Sequence, residues 1–185
     1  GQVDPEETRR ILREVADALA FAHGRDVVHR DIKPDNILLC LDDGRAVVTD
    51  FGIARAVSEG ADSRLTATGM AIGTPTYMSP EQAAGEREID GRTDLYAVGV
   101  VGYQMLCGSP PFTANSTPAL LVKHLSETPK PIAERCPNVP EDLARTIMLL
   151  LEKDPANRIP TAAALVAALD ERRLPPELAL RQPTR

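Results

Sequence analysis

The chain has 185 residues, of which 43% are hydrophobic and 26% are charged, and its formal net charge is −6. This length and composition indicate one globular domain with a sizeable core. The negative charge argues against a general nucleic-acid or membrane surface, and no apolar run is long enough to cross a membrane.

The three cysteines, Cys40, Cys107 and Cys136, are odd in number and show no CxxC spacing. We interpret them as reduced thiols rather than as a disulfide or zinc framework, and we therefore expect a cytoplasmic location. The sequence begins at Gly1 rather than at Met and carries no signal peptide, so we also expect a missing portion upstream.

The first predicted element is an amphipathic helix that begins after Asp4. Pro5 occupies the first turn and Glu7 lies three residues after the cap, as is typical of a helix start. Apolar residues then recur at helical spacing until Gly24 ends the helix. We expect this helix to support the loop that follows it.

A short hairpin comes after this loop. Ile37–Leu39 is the first predicted strand, and the second begins two residues after a turn at Gly44, where a positive φ is expected. Folding about that turn makes Ile37 face Asp50, and Asn36 and Asp50 then lie side by side with Cα atoms roughly 5 Å apart. Two oxygen ligands so placed suit a hard cation such as Mg²⁺.

The rest of the chain is predicted to be helical apart from one long stretch. Residues 53–76 show no periodicity, and such a stretch inside a compact domain is usually functional or disordered. Residues 94–107 are apolar on almost every side, which is typical of a helix buried at the domain centre, and Asp94 can cap it. Further helices are predicted at Thr117–Ser126, 140–152 and 161–170, and a tail or linker at 171–185.

Two motifs carry the chemistry of this chain. Residues 29–36 read His-Arg-Asp-Ile-Lys-Pro-Asp-Asn, and residues 50–52 read Asp-Phe-Gly at hairpin spacing. Together they resemble the catalytic loop and the metal-binding loop of the eukaryotic-type (Hanks-type) serine/threonine protein kinases. The resemblance extends over residues 3–170 and implies a mainly α (α+β) fold, the C-terminal lobe of a kinase with a small catalytic-loop β-hairpin. The Arg-rich and Ala-rich style of the sequence indicates a bacterial origin.

The resemblance implies a role for each polar side chain of these motifs. Asp31 is implied to be the catalytic base, and Lys33 is implied to steady the γ-phosphate of ATP. Asn36 and Asp50 are implied to bind the nucleotide through magnesium or manganese ions. A carboxylate, a cation and two metal ligands supply the alignment and the charge neutralisation that phosphoryl transfer requires.

Substrate specificity follows from the same resemblance. A lysine two residues after the base, here Lys33, is typical of the catalytic loop of serine/threonine kinases rather than of tyrosine kinases. Residues 73–81 resemble the substrate-binding loop of serine/threonine kinases, which implies that Thr74 contacts the catalytic Asp and Lys. A plain turn residue is the alternative interpretation of Thr74.

Regulation is implied at three positions. The resemblance makes the stretch from residue 53 an activation segment that ends in Ser79-Pro80-Glu81. Arg30 directly precedes the base, and in kinases with this arginine a phosphate on the activation segment pairs with it and orders the segment. Thr66 and Thr68 lie where bacterial relatives of the family carry activating phosphothreonines. The alternative for both is a solvated loop hydroxyl.

The resemblance implies a structural role for six further residues. His29 packs beneath Phe51 and Gly52, and Glu81 forms a buried ion pair with Arg158. Asp94 anchors the catalytic loop and also caps its own helix. The family pattern has Trp and Ser where this chain has Tyr96 and Ala97. His23 and His124 have no evident partner, and we interpret them as surface or packing residues.

The nucleotide clamp of a kinase is missing from the sequence. The chain contains no Gly-x-Gly, and all of its lysines lie at or after Lys33. We interpret residues 1–170 as a partial kinase domain without its N-terminal ATP-clamping lobe. The expected partners are ATP, proteins that offer Ser or Thr, and the missing lobe, but no nucleic acid.

Two classes of function remain open. In the first, the chain is the catalytic lobe of a serine/threonine kinase and is inactive in isolation. In the second, it is a non-catalytic binding or scaffolding module of kinase-like fold. A small-molecule phosphotransferase is disfavoured because Pro80 and Glu81 belong to the substrate loop of protein kinases.

Overall fold

The computed structural model describes residues 1–51, 75–174 and Leu178, and within these residues the fold is mainly helical. The helices are α1 (Pro5–His23), α2 (Pro80–Ala83), α3 (Arg92–Cys107), α4 (Thr117–Ser126), α5 (Ile132–Arg135), α6 (Glu141–Leu150) and α7 (Ala162–Glu171). Strands β1 (Ile37–Leu39) and β2 (Ala46–Val48) form a two-stranded sheet, and short 3₁₀ turns occur at Pro34–Asn36, Pro75–Tyr77 and Pro155–Asn157. No helix in the described ranges is long and apolar enough to cross a membrane.

Helix α1 begins where the sequence predicts. The Asp4 carboxylate accepts hydrogen bonds from the backbone N–H groups of Glu6 and Glu7 at 2.9 and 3.3 Å, so it caps the helix. Its apolar face is buried against α3, α7 and β2. The helix ends at His23, and this places the loop that follows directly beside the hairpin.

Helix α3 forms the centre of the core. Almost every side chain along it is buried, including both of its tyrosines, Tyr96 and Tyr103. A Cβ atom added at Gly99 would lie 2.7 Å from Leu150 Cβ, and one at Gly102 would lie 2.8 Å from Leu12 Cδ1. These two glycines therefore allow α6 and α1 to pack closely on α3.

The register of the hairpin differs from the predicted one. Ile37 pairs with Val48 rather than facing Asp50. The Gly44 N–H donates to the carbonyl of Cys40, and Gly44 has a φ of 70°. Gly44 therefore ends a longer turn instead of lying at its centre. The shift is by two residues, so facing side chains of the two strands still lie on the same side of the sheet, as in the predicted pairing.

The later helices follow their local signals. Helix α4 has the predicted bounds Thr117–Ser126, whereas α6 ends at Leu150, two residues earlier than predicted. The Thr161 hydroxyl caps α7 through the N–H of Ala164 at 3.1 Å. The short helices α2 and α5 are additional to the prediction.

Two residues of the predicted tail are buried. The side chains of Leu174 and Leu178 are 8% and 5% exposed and belong to the same core cluster as α1 and α3. Helix α7 itself continues to Glu171. The boundary at residue 170 between domain and tail stays a prediction.

Candidate active site

Three polar side chains converge in the loop between α1 and β1. The Lys33 Nζ atom lies 2.7 Å from Asp31 Oδ2. The Asn36 Nδ2 atom donates to the Asp31 backbone carbonyl at 2.8 Å and to Asp31 Oδ2 at 3.2 Å. The Asp31 side chain is still 46% exposed, so its carboxylate is fixed by two neighbours and remains accessible to a substrate group.

The backbone of this loop is held in a strained conformation by Asp94. Arg30 has a φ of 68°, a left-handed value that costs a non-glycine residue about 1 kcal/mol. The backbone N–H groups of His29 and Arg30 donate to the Asp94 carboxylate at 2.8 and 2.7 Å. The Asp94 side chain is 1% exposed, so these hydrogen bonds are shielded from water. Asp94 therefore fixes the residue that precedes Asp31.

The capping role expected for Asp94 is wrong. Helix α3 begins at Arg92, two residues earlier than predicted, and its N-terminal flanking residue is Gly91, which supplies no side-chain cap. Asp94 consequently lies inside the first turn of the helix, and its carboxylate points towards the loop rather than back to the helix N-terminus.

His23 completes this anchor, although the sequence gives it no partner. Its Nε2 atom lies 2.8 Å from Asp94 Oδ2. His23 is the last residue of α1, so the contact joins the end of α1 to the start of α3 beneath the loop. The two residues are 71 positions apart, and no local pattern could have revealed the contact.

His29 connects the loop to the end of the hairpin. Its Nε2 atom lies 2.8 Å from the Thr49 carbonyl, and its Nδ1 atom accepts from the Asp31 N–H at 3.2 Å. In these two hydrogen bonds Nδ1 is the acceptor and Nε2 is the donor. The ring is 1% exposed and meets Phe51 edge to face, with centroids 4.8 Å apart. His29 therefore packs within the site and is not available as a base.

Asn36 and Asp50 lie at the open end of the hairpin. The Thr49 N–H donates to the Asn36 carbonyl at 2.9 Å, so Asn36 is opposite Thr49 and Asp50 follows directly. Asp50 has a φ of 61°, which turns the chain sharply at this point. Because Asn36 Nδ2 is engaged with Asp31, its Oδ1 oxygen is the atom left for a ligand.

The donor set at this end of the hairpin fits a magnesium or manganese ion bound together with a nucleotide. Among the described residues, no three His, Cys, Asp or Glu side chains gather into an all-protein metal cage. Mg²⁺ is usually held by one or two protein oxygens together with substrate phosphates and water. One amide oxygen and one carboxylate satisfy that requirement without a cage.

A buried ion pair lies behind the loop. The guanidinium of Arg158 meets the carboxylate of Glu81 through two bonds of 2.7 and 2.8 Å, and both residues are buried. The Thr93 hydroxyl donates to Glu81 at 2.6 Å. Burial alone would raise the pKa of Glu81, but the hydrogen bonds and charge of Arg158 hold it below its ordinary value.

This ion pair is joined to the loop between α1 and β1 through the residue that follows Glu81. The Gln82 Nε2 atom donates to the Arg30 carbonyl at 2.8 Å. Glu81 and Gln82 belong to α2, which Ser79 caps through a reciprocal capping box. A short helix thus connects the loop to Arg158 near the end of the chain.

His124 is also more constrained than the sequence indicates. It is fully buried, its Nδ1 atom lies 3.0 Å from the Tyr96 hydroxyl, and its ring meets Phe112 edge to face. Burial, together with the charge of Lys153, lowers the pKa of His124 to about 4. Its spacing of four residues from Leu120 on α4 is the signal that could have placed it in the core.

Several predicted site residues lie outside the described residues: Gly52, Thr66, Thr68 and Thr74. The described part brings together Asp31, Lys33 and Asn36, places Asp50 directly after the residue opposite Asn36, and packs Phe51 against His29. It also places His29, Arg30 and Asp94 in one hydrogen-bonded group. Glu81 and Arg158 form their ion pair behind the loop.

Comparison with known proteins gives consistent matches. Residues 1–168 match the family model of the protein kinase domain. The chain is 38% identical over 169 residues to the serine/threonine-protein kinase PknB of Mycobacterium tuberculosis, covering 91% of this chain and 26% of that protein. It is 44% identical over 164 residues to the serine/threonine-protein kinase Pkn1 of Myxococcus xanthus, covering 86% of this chain and 23% of that protein. The chain thus spans about a quarter of the length of these curated relatives.

The fold is also similar to a solved structure. The crystal structure of the Mycobacterium tuberculosis PknI kinase domain, a double mutant, matches with a TM-score of 0.66 and 26% sequence identity. The match covers 93% of this chain and 56% of that one. This likeness confirms the fold class predicted from the sequence, a mainly helical kinase lobe with one small hairpin.

Proposed function

The chain belongs to the protein kinase domain family, and we propose that it is the catalytic lobe of a serine/threonine protein kinase. Its reaction is transfer of the γ-phosphate of ATP to Ser or Thr hydroxyls of proteins. The observation that carries this proposal is the convergence of Asp31, Lys33 and Asn36 within hydrogen-bond distance. A scaffolding module would have no chemical need for this convergence.

The three side chains suit distinct parts of the transfer. Asp31 orients the substrate hydroxyl and accepts its proton as the new P–O bond forms. The Lys33 ammonium, 2.7 Å from that carboxylate, holds it in place and neutralises charge on the phosphoryl oxygens. Asn36 and Asp50 would hold magnesium or manganese, which supplies charge neutralisation at the ATP phosphates when bound.

A second group of residues, beneath the loop, positions the three side chains that take part in the transfer. Asp94, His23 and His29 hold the loop in one conformation before substrate arrives. Preorganised geometry of this kind lowers the entropic part of the barrier. Arg30, Thr66 and Thr68 are proposed to regulate the site, and Thr74 to position the substrate, on the strength of the family resemblance.

Replacement of Asp94 by asparagine should loosen the loop. The amide that replaces one carboxylate oxygen cannot accept a hydrogen bond, so a buried N–H group loses its partner, at a cost of about 1–3 kcal/mol. We expect the free energy of unfolding in urea to fall by that amount. Asp90→Asn is the matched control, because Asp90 pairs with Arg92 at the surface and should change stability by less than about 1 kcal/mol. Equal losses in both variants would contradict the anchoring role.

The exposed surface of the hairpin is an argument that a second lobe binds there. Four large apolar side chains on it are exposed: Leu38, Leu39, Leu41 and Val47. Exposed apolar groups concentrated in this way are typical of a surface that another domain covers. We propose that an ATP-clamping lobe docks there and that the 185-residue chain alone transfers no phosphate.

A chimaera tests this proposal. The segment of Pkn1 that precedes its matched region would be joined to this chain, with Pkn1 itself as the positive control. We expect phosphate transfer from ATP to a protein substrate by the chimaera and by Pkn1, and none by the isolated chain. A folded chimaera without transfer would contradict the catalytic proposal, and Asp31-dependent transfer by the isolated chain would contradict the need for a second lobe.

A further inference from the structure

Two cysteine thiols meet on the side of the core away from the catalytic loop. Cys107 is the last residue of α3, and Cys136 directly follows α5. Their Sγ atoms are 3.2 Å apart, with the Cys136 thiol as donor, although 29 positions separate them in the chain. The sequence gives no hint of this contact, because neither residue belongs to a CxxC pair.

The pair is buried but adjoins a cavity. Cys107 and Cys136 are 8% and 9% exposed. Cys136 lines a cavity of about 230 Å³ whose wall also contains the exposed residues Gln2, Arg135 and Asn138. A water molecule occupies about 30 Å³, so a small peroxide fits in this space beside the sulfur.

The surroundings distinguish the two thiols. Burial, with the hydrogen bond from Cys136, raises the pKa of Cys107 to about 12, so Cys107 is a protonated thiol at neutral pH. Cys136 lines the cavity, and the Gln2 Nε2 atom donates to its sulfur at 3.6 Å. Cys136 is therefore the thiol that an oxidant meets first.

We propose that Cys107 and Cys136 form a redox modification site that a hydroperoxide converts into an intramolecular disulfide. The Cys136 sulfur attacks one peroxide oxygen, the O–O bond breaks, and water leaves with the thiol proton, which gives a sulfenic acid. The Cys107 sulfur then attacks the Cys136 sulfur, the S–O bond breaks, and a second water leaves with the Cys107 proton. Two thiols lose two electrons, and one hydrogen peroxide is reduced to two waters.

The disulfide would link two parts of the helical lobe. A disulfide needs sulfur atoms about 2 Å apart, so these two must approach by roughly 1 Å. The bond would join the end of α3 to the end of α5 and close a loop that contains α4. Asp94 lies at the other end of α3, so the oxidised state would brace the helix that anchors the catalytic loop.

Peptide mapping after peroxide treatment tests the proposal on the unsubstituted chain. The folded chain would be exposed to hydrogen peroxide, its free thiols alkylated, and the protein digested without reduction for mass spectrometry. We expect one cross-linked peptide pair joining Cys107 to Cys136, about 2 Da lighter than its two thiol forms, and its loss on reduction with dithiothreitol. The midpoint of thermal unfolding should rise by roughly 5–10 °C on oxidation.

Cys40 and the unfolded chain provide the controls. Cys40→Ser should leave the cross-link unchanged, and Cys136→Ser should remove it. In urea the three cysteines should instead pair without preference. Recovery of Cys107 and Cys136 as separately alkylated residues after peroxide, or cross-links to Cys40 as frequent as in urea, would overturn the proposal.

Discussion

Replacement of Asp31 by asparagine is expected to lower the rate of phosphate transfer by roughly 10²–10⁴-fold in the chimaera with the Pkn1 segment. The amide keeps the size of the side chain and can still accept from Asn36. It cannot accept the hydroxyl proton, and it removes the charge that holds Lys33 at 2.7 Å. The KM for ATP should change little, because the base acts on the acceptor hydroxyl in the transition state.

Asp42→Asn is the matched control for this substitution. Asp42 lies in the exposed turn of the neighbouring hairpin, so the same change of charge is made close by in the chain without touching the loop. Steady-state rates with ATP and a protein substrate would be compared for both variants. A loss of less than about tenfold for Asp31→Asn would contradict its role as the base.

Replacement of Arg158 by methionine is expected to cost about 3–5 kcal/mol of the free energy of unfolding. The side chain is fully buried and donates two hydrogen bonds to Glu81. It also donates to the backbone carbonyls of Arg92, Glu152 and Lys153. Methionine fills a similar space but leaves the Glu81 carboxylate buried without its cation. Such a loss is a large fraction of the total stability of a domain.

Urea unfolding followed by circular dichroism measures this loss. Arg92→Met is the control, because Arg92 makes a surface ion pair with Asp90 and should lose less than about 1 kcal/mol. The double variant Glu81→Met with Arg158→Met should lose less than the sum of the single variants, since no charge is left unpaired. Similar losses for Arg158→Met and Arg92→Met would contradict the account of the buried pair.

Local chemistry explains which parts of the fold could be predicted from the sequence. The caps at Asp4 and Thr161 hydrogen-bond to N–H groups two or three residues away, so their signal is contained in a few residues. Helix α4 has both of its predicted bounds for a similar reason, because Ser116 caps it and Pro118 lies in its first turn. The all-round apolar pattern of α3 correctly indicated its place at the centre of the core.

The hairpin register shows where local signals become insufficient. An Asp-Gly pair favours a tight two-residue turn, yet the chain makes a longer turn that Gly44 closes with its positive φ. The choice between the two turns depends on how β2 packs on α1, which is a tertiary matter. Asn36 and Asp50 still lie at the open end of the hairpin, because Asn36 is opposite Thr49 and Asp50 follows directly.

The residues that hold the loop of the candidate site in place could be predicted only in part. The motif at residues 29–36 named the side chains of the loop, but the contact of His23 with Asp94 joins residues 71 positions apart. The contact between Cys107 and Cys136 is likewise long-range. Contacts of this kind arise from helix packing, and a single sequence carries no periodicity that reports them.

Phosphoamino-acid analysis of a protein substrate, after incubation with the chimaera and radiolabelled ATP, tests directly whether Asp31 supports phosphate transfer to Ser or Thr. We expect label on phosphoserine or phosphothreonine when the chimaera carries the unsubstituted chain or Asp42→Asn, and a near-complete loss of label with Asp31→Asn. Equal label with Asp31→Asn, or label on tyrosine alone, would contradict the account.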